Sequence, residues 1–392
     1  MNQRILSTTK AFLVAFTATL LLISCSSDDN MPVQTPDDYG VISFSVAAEK
    51  SSVRTLNYEK YSREKHPDNM GVFGFFNLSE ATDEAKLAAN TILGNVKIVN
   101  DAVTGTWKYA DSKDEKYWAQ YIDYTSFDFL GYMPYQNQNT TPLFTPNAGT
   151  PETFTLSFPV KRSEECALPL IFDSRQAPLI CNVPVHKNSA MGEQIVLNFD
   201  QTLTGFNVQF EIDPSMDKIR HFRIKSVKIF GDKLPVSGKV SRTYTWNNTQ
   251  STWTAGEITW SETVFDKVEK ASPIVINYAT NEETAEYDKT EKTMIVKSDK
   301  YRQWGKHFYA IPDAAFNPTI EVTYDVELED QNGKNVTTRQ DVTNSIVLSK
   351  TNFSAIQQGT PGHINAIRIL IKPRYLYVLA DEDKAEGLLL VE

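Results

Sequence analysis

From Ile320 to Glu329 the chain alternates without a break. Ile320, Val322, Tyr324, Val326 and Leu328 are apolar; Glu321, Thr323, Asp325, Glu327 and Glu329 lie between them. A period of two with one wholly polar face predicts a half-buried strand of an antiparallel sheet. Asn332-Gly333 follows, a strong two-residue hairpin signal, so the residues around Arg339 are expected to return on the partner strand. The same alternation runs through Ile42, Phe44 and Val46, through Phe154, Leu156 and Phe158, and through Phe206, Val208, Phe210 and Ile212. Further strands are predicted at Met70–Phe76, Val96–Val99, Thr106–Tyr109, Phe127–Tyr132, Leu168–Phe172, Ile195–Phe199, Phe222–Phe230, Ile274–Tyr278, Met294–Val296, Phe308–Ile311 and Ile367–Ile371. Within Phe222–Phe230 the apolar phase moves from even positions (Phe222, Ile224) to odd ones (Val227, Ile229), which predicts a bulge near Ser226. Trp253 and Trp260 flank Ala255-Gly256, and a second hairpin is expected there. Only Ser79 to Asn90 reads as helix. Many short strands parted by turn signals, with little helix, predict an all-β protein built of β-sandwiches. No fixed-period repeat is present. The strand pattern breaks from Pro184 to Gly192 and resumes at Ile195, which places a boundary between an N-terminal domain, 39–190, and a C-terminal domain, 191–392.

The first residues do not belong to that pattern. Arg4 and Lys10 precede an apolar run from Ala11 to Ile23, a charged start and a core too short to span a bilayer as a helix. The run ends in Leu22-Ile23-Ser24-Cys25, which resembles a bacterial lipobox. That likeness implies removal of residues 1–24 and acylation of Cys25, palmitate among the chains. Each buried methylene contributes about 0.8 kcal/mol, so several chains would anchor the protein to the membrane. Ser26-Ser27-Asp28-Asp29 is similar to the export signal of surface lipoproteins in Bacteroidota, and residues 25–38 read as a lipidated tether. The implied location is the outer membrane, facing out.

Charge and chemistry then narrow the function. The formal charge is −10, and loss of Arg4 and Lys10 with the leader takes it to −12, which argues against nucleic acid as a partner. Five histidines are scattered singly, so no metal site is expected, and no cofactor. There is no glycine-rich phosphate loop and no G-x-S-x-G elbow. Asp330-Gln331-Asn332-Gly333 has part of a calcium loop but lacks its terminal glutamate, and reads as a turn. No carboxylate pair stands out among 49 acids. A non-enzyme is therefore expected. Trp107, Tyr117, Trp118 and Tyr121 are either sandwich core or a sugar-stacking platform. Beyond Cys25 the cysteines are Cys166 and Cys181; an oxidising compartment permits a disulfide between them, and two separate buried thiols are the alternative.

Taken in order, several pieces resemble the fimbrillins, subunits of type V pili in Bacteroidales. They are the lipoprotein signal ending at Cys25, the early strand Ile42-Ser43-Phe44-Ser45-Val46 followed by Val53-Arg54-Thr55, and Met70-Gly71-Val72-Phe73-Gly74-Phe75-Phe76. Thr106-Trp107-Lys108-Tyr109, Tyr117-Trp118, the run Phe127 to Pro134, Val196-Leu197-Asn198-Phe199, Tyr309-Ala310-Ile311-Pro312 and Gly362 to Ile371 continue the likeness. It implies two tandem transthyretin-like antiparallel β-sandwiches with Greek-key connections. It also implies a cell-adhesion role in a fimbrium, with other pilus subunits as partners and a host surface or glycan as a target. An Arg-specific protease would cut after Arg54, or alternatively Arg63, removing the strand that carries Ile42, Phe44 and Val46. A strand from another subunit would refill the groove, with Leu388, Leu389, Leu390 and Val391 as the candidate donor. The competing reading is a surface lipoprotein that binds glycans through an aromatic face.

Overall fold

The structure is a computed structural model, and it describes residues 40–50, 57–60, 62–63, 66–137, 143–161, 177–188, 193–212, 220–276, 287–297, 302–313, 315–348, 364–371 and 388–391. The strands of the first half are β1 (Phe44–Lys50), β2 (Asn57–Lys60), β3 (Asn69–Phe76), β4 (Thr91–Asn100), β5 (Trp107–Tyr109), β6 (Phe127–Met133), β7 (Phe144–Pro146), β8 (Thr153–Lys161), β9 (Leu179–Cys181), β10 (Val185–Lys187) and β11 (Ile195–Gln201). Those of the second half are β12 (Thr204–Ile212), β13 (Arg220–Asn247), β14 (Thr252–Ala255), β15 (Thr259–Val268), β16 (Ile274–Val275), β17 (Tyr287–Asp288), β18 (Thr293–Val296), β19 (Arg302–Ala310), β20 (Thr319–Glu329), β21 (Asn335–Val347), β22 (Ile364–Ile371) and β23 (Leu388–Val391). The expected helix is one short α1, Glu84–Ala89, started by the Asp83 carboxylate accepting from the Lys86 amide at 2.9 Å.

One sheet runs β2-β1-β11-β9-β6-β3-β4-β5, with β10 beside β9 on the same edge of β6. A second runs β19-β12-β22-β23, and a third is gathered around β13. The first sheet and the β8 side of the third share one core, joined by contacts such as Tyr132 stacked on Phe158 at 4.4 Å. The second sheet packs against β13, β18 and β20 around a separate core that includes Phe210, Phe222 and Tyr324. The chain is thus an all-β sandwich protein. β13 belongs to both cores: Phe222 to Leu234 lie in the second, Val240 to Trp246 in the first. The first core also takes Ile195, Leu197 and Phe199 from beyond residue 191, together with Trp253.

Each core closes on a parallel pair, where the sequence led us to expect antiparallel strands only. β1 runs parallel to β11 (Phe44 opposite Ile195) and β12 runs parallel to β22 (Gly205 opposite Ile364). Parallel partners need a long crossover, and here the intervening strands of each core supply it.

A turn forms at Asn332-Gly333 between β20 and β21 as expected, but as a five-residue connection, 330–334, in place of a two-residue one. Gly333 sits at φ 76, and the Asp330 carboxylate accepts from the Asn332 and Lys334 amides at 2.8 Å each. The bulge also forms: Ile224 pairs with Tyr324 and Ser226 with Thr323, leaving Lys225 as the extra residue. Two expectations fail. Ala255-Gly256 is not a hairpin tip. β14 and β15 both pair with β13, and the turn lies at Asn247, whose side chain accepts from the Thr249 and Gln250 amides. The polar face of β20 is not solvated either: Glu321, Asp325 and Glu327 are buried. Arg223 pairs with Glu327 at 2.6 Å, Lys225 with Asp325 at 3.1 Å, and Lys270 with Glu321 at 2.8 Å. The stems of these cations cover the carboxylates, an arrangement invisible to alternation alone. The predicted strand Leu168–Phe172 lies outside the described residues.

Candidate functional site

The segment that sequence singled out as removable is plugged into the first core. Ile42 and Phe44 are essentially inaccessible to water and Val46 nearly so, while Ser43, Ser45 and Ala47 stand on the other face. The backbone enters through paired bonds: the Ile42 amide donates to the Lys116 carbonyl at 2.8 Å, and Val41 bridges Tyr117. The ladder with β11 follows from Phe44 to Ala48. Two side chains add to it: the Tyr109 hydroxyl donates to the Ile42 carbonyl at 2.9 Å, and the Gln194 amide to the Phe44 carbonyl at 3.1 Å. The Tyr109 hydroxyl is held well above its ordinary pKa, chiefly by burial.

Phe44 fills the centre of this slot. Its ring meets Phe129 edge-on at 5.9 Å and Tyr109 at 6.3 Å. Trp118, fully buried, closes on Phe129 from the other side at 5.9 Å. Gly74 makes the arrangement possible: a Cβ there would lie 2.8 Å from the Phe129 ring. The slot-lining residues were missed from sequence as a site, although the apolar run Phe127–Tyr132 with its aromatic alternation signals them.

Along the outer edge, Ala47 to Lys50 of β1 pair antiparallel with Lys60 to Asn57 of β2. β2 ends the sheet. Three residues on, Arg63 lies exposed in a turn. Its guanidinium donates to the Asp68 carboxylate at 3.0 Å and to the Asn100 carbonyl at 3.1 Å. Buried His66 fixes the same turn, its amide donating to the Ser62 carbonyl at 3.0 Å. Arg54, Cys25 and Cys166 lie outside the described residues. Cys181 carries a free, buried thiol that donates to the Val183 carbonyl; burial pushes its pKa up to about 12. Leu388–Val391 forms a strand antiparallel to β22 of the same chain.

A polar cluster that sequence did not mark holds β13 and β14 to the first sheet. Asp128, buried in an otherwise apolar strand, accepts from Trp253 Nε1 and from His186 Nδ1, each at 2.7 Å. His186 Nε2 lies 2.9 Å from Asn188 Oδ1, and the imidazole packs on Trp246 at 4.6 Å. The bond to Asp128 raises the His186 pKa against the opposing effect of burial. Asp128 was the available signal, a carboxylate flanked by Phe127 and Phe129. Deeper in, Arg242 reaches Asp200 at 2.5 Å and the Tyr244 hydroxyl donates to the Cys181 carbonyl at 2.6 Å.

Of the four aromatics read as core or a sugar platform, the structure places one in the core. Trp118 is core, and Trp107 and Tyr121 pack against it half-buried. Among the described residues no group of three or more His, Cys, Asp or Glu is placed to hold a metal ion, and no helix is long and apolar enough to cross a membrane.

No family profile and no curated protein matches this chain. Solved structures do. A fimbrial protein of Bacteroides vulgatus superposes with a TM-score of 0.50 at 14% identity, over 88% of this chain and 99% of its own. The two chains share a fold. Two candidate cell adhesion proteins match more loosely, each at 12% identity over 85% of this chain and 93% of their own: one from Bacteroides ovatus (TM-score 0.40) and one from Bacteroides uniformis (TM-score 0.38).

Proposed function

We propose that this protein is a non-enzymatic structural subunit of a cell-surface fimbria, assembled by exchange of β strands between subunits. It is exported as a lipoprotein through Cys25 and reads as two tandem transthyretin-like domains, 39–190 and 191–392, the second lending part of β11, β13 and β14 to the core of the first. An Arg-specific protease frees the first strand, and a strand from another subunit takes its place. Leu388 to Val391 is the candidate donor. One observation supports the reading: the segment Ile42–Lys50 puts Ile42, Phe44 and Val46 into the core, and its ladders run only to β11 and, toward its end, to β2. A sandwich that loses such a strand exposes both an apolar stripe and unpaired backbone, a state that captures a replacement. Because giver and receiver surfaces differ, each added subunit presents a new slot and the contact propagates into a filament.

The test is digestion of the purified chain with an Arg-specific protease, followed by size-exclusion chromatography and unboiled gel electrophoresis. Ladders of stable multimers are expected after loss of β1. A cleaved chain that has lost β1 and stays monomeric at high concentration overturns assembly through this slot.

A further inference from the structure

We infer that β1 leaves as a hairpin with β2, released by cleavage after Arg63, and that the Asp68 carboxylate holds this site in a latent state. The inference rests on the strand-exchange reading and adds which bond opens the slot and what restrains it.

The argument is one of ladders. β1 is not an edge strand: β11 bonds one side from Phe44 to Ala48, and β2 bonds the other from Ala47 to Lys50. Among the described residues β2 pairs with β1 alone. A cut between them would oblige β1 to break both ladders. It would also leave β2 tethered where the incoming strand must lie, so that the newcomer has to enter between two strands. A cut beyond β2 lets the hairpin depart with its internal ladder intact. Of its two ladders only the one to β11 then breaks, along with the contacts of Val41 and Ile42 to Lys116, Tyr117 and Tyr109, and β11 is left as an open edge, the geometry that strand addition requires. Arg63 is the first arginine after β2.

The turn that carries Arg63 is closed. The guanidinium that an Arg-specific protease must grip is engaged by Asp68 and by the Asn100 carbonyl at the end of β4. Asp68 is itself fixed by the Asn69 side chain at 2.9 Å, and its carbonyl accepts from the Asn100 amide at 2.8 Å. The ion pair is about half exposed on both sides, so it slows cleavage without forbidding it. The reaction is hydrolysis of the Arg63–Glu64 peptide bond: water supplies hydroxyl to the Arg63 carbonyl carbon and a proton to the Glu64 nitrogen.

The experiment uses the full soluble chain from residue 26 and its variants Arg54→Lys, Arg63→Lys and Asp68→Asn, digested with an Arg-specific protease. Intact mass reads the cut and size-exclusion chromatography reads assembly. Arg54→Lys is expected to multimerise like the wild type with a body beginning at Glu64, and Arg63→Lys to remain monomeric. Asp68→Asn is expected to be cut after Arg63 about two- to five-fold faster. Multimers from Arg63→Lys, with a body beginning at Thr55, overturn the inference and leave strand exchange standing. An Asp68→Asn rate equal to wild type overturns the latch. A wild-type chain cut cleanly after Arg63 that never multimerises overturns the proposed function itself.

Discussion

Phe44→Ala tests whether β1 belongs to the core or merely lies on it. Phe44 is 1% exposed, and its two ring neighbours have little freedom to close on a void. Tyr109 is tied through its hydroxyl to the Ile42 carbonyl, and Phe129 is wedged over Gly74. Buried Phe→Ala changes cost about 3–5 kcal/mol, with the upper part of that range where the site cannot collapse. We therefore expect about 4–5 kcal/mol, roughly three decades in the folded-to-unfolded ratio of the first core. Urea unfolding followed by tryptophan fluorescence reads that core directly, since Trp118, Trp246 and Trp253 lie in it. The midpoint should fall with an unchanged slope. Ser45→Ala, on the outer face of the same strand, should shift stability by less than about 0.5 kcal/mol. After protease release of β1 the wild-type and Phe44→Ala bodies should be indistinguishable, because the altered residue has gone. A loss below about 1 kcal/mol in the intact chain, or a difference that persists after release, would refute the plugged strand.

Four further outcomes follow from the packing. His186 has a folded pKa above the ordinary 6.5, so the stability it contributes is complete below that value and lost as pH rises through the raised one; His186→Gln should flatten this decline in pH-dependent unfolding. Arg242→Met leaves the buried Asp200 carboxylate without its cation, held by the Asn182 side chain, and should cost about 3–5 kcal/mol by denaturation, with much of it restored by adding Asp200→Leu. Cys181 should resist iodoacetamide at pH 8 in the native chain and react only as urea unfolds the first core, because its thiol titrates near 12. Gly333→Ala should destabilise the β20–β21 hairpin by about 1 kcal/mol, read as faster amide exchange at its tip, since the turn demands a positive φ.

Alternation reported the strands well because inward positions in a sandwich recur every second residue, and Phe222–Phe230 even disclosed its bulge through a change of phase. What it could not disclose was partnership. β20 displays the same alternation whether water or Lys225 and Arg223 cover its carboxylates, so the ion pairs across β13 were invisible. Nothing in Arg220 to Asn247 announces that one strand serves two cores, since each half has an ordinary apolar face. The first strand was legible because Ile42, Phe44 and Val46 alternate in isolation. Its slot was not, because Tyr109, Trp118 and Phe129 are brought together only by pairing across the sheet.

β13 has a mechanical consequence. Its 28 residues give about 90 Å of contour without a flexible linker, passing from one core into the other. A subunit pulled along a filament would load this strand along its own length. The ladders to β8 and β20 would then be stressed in shear, many bonds at once, instead of peeling one at a time. Tension applied to one sandwich is thus delivered to the next through covalent chain, and stretching the joint between them means sliding β13 against several ladders at once, those to β8, β15 and β20 the longest.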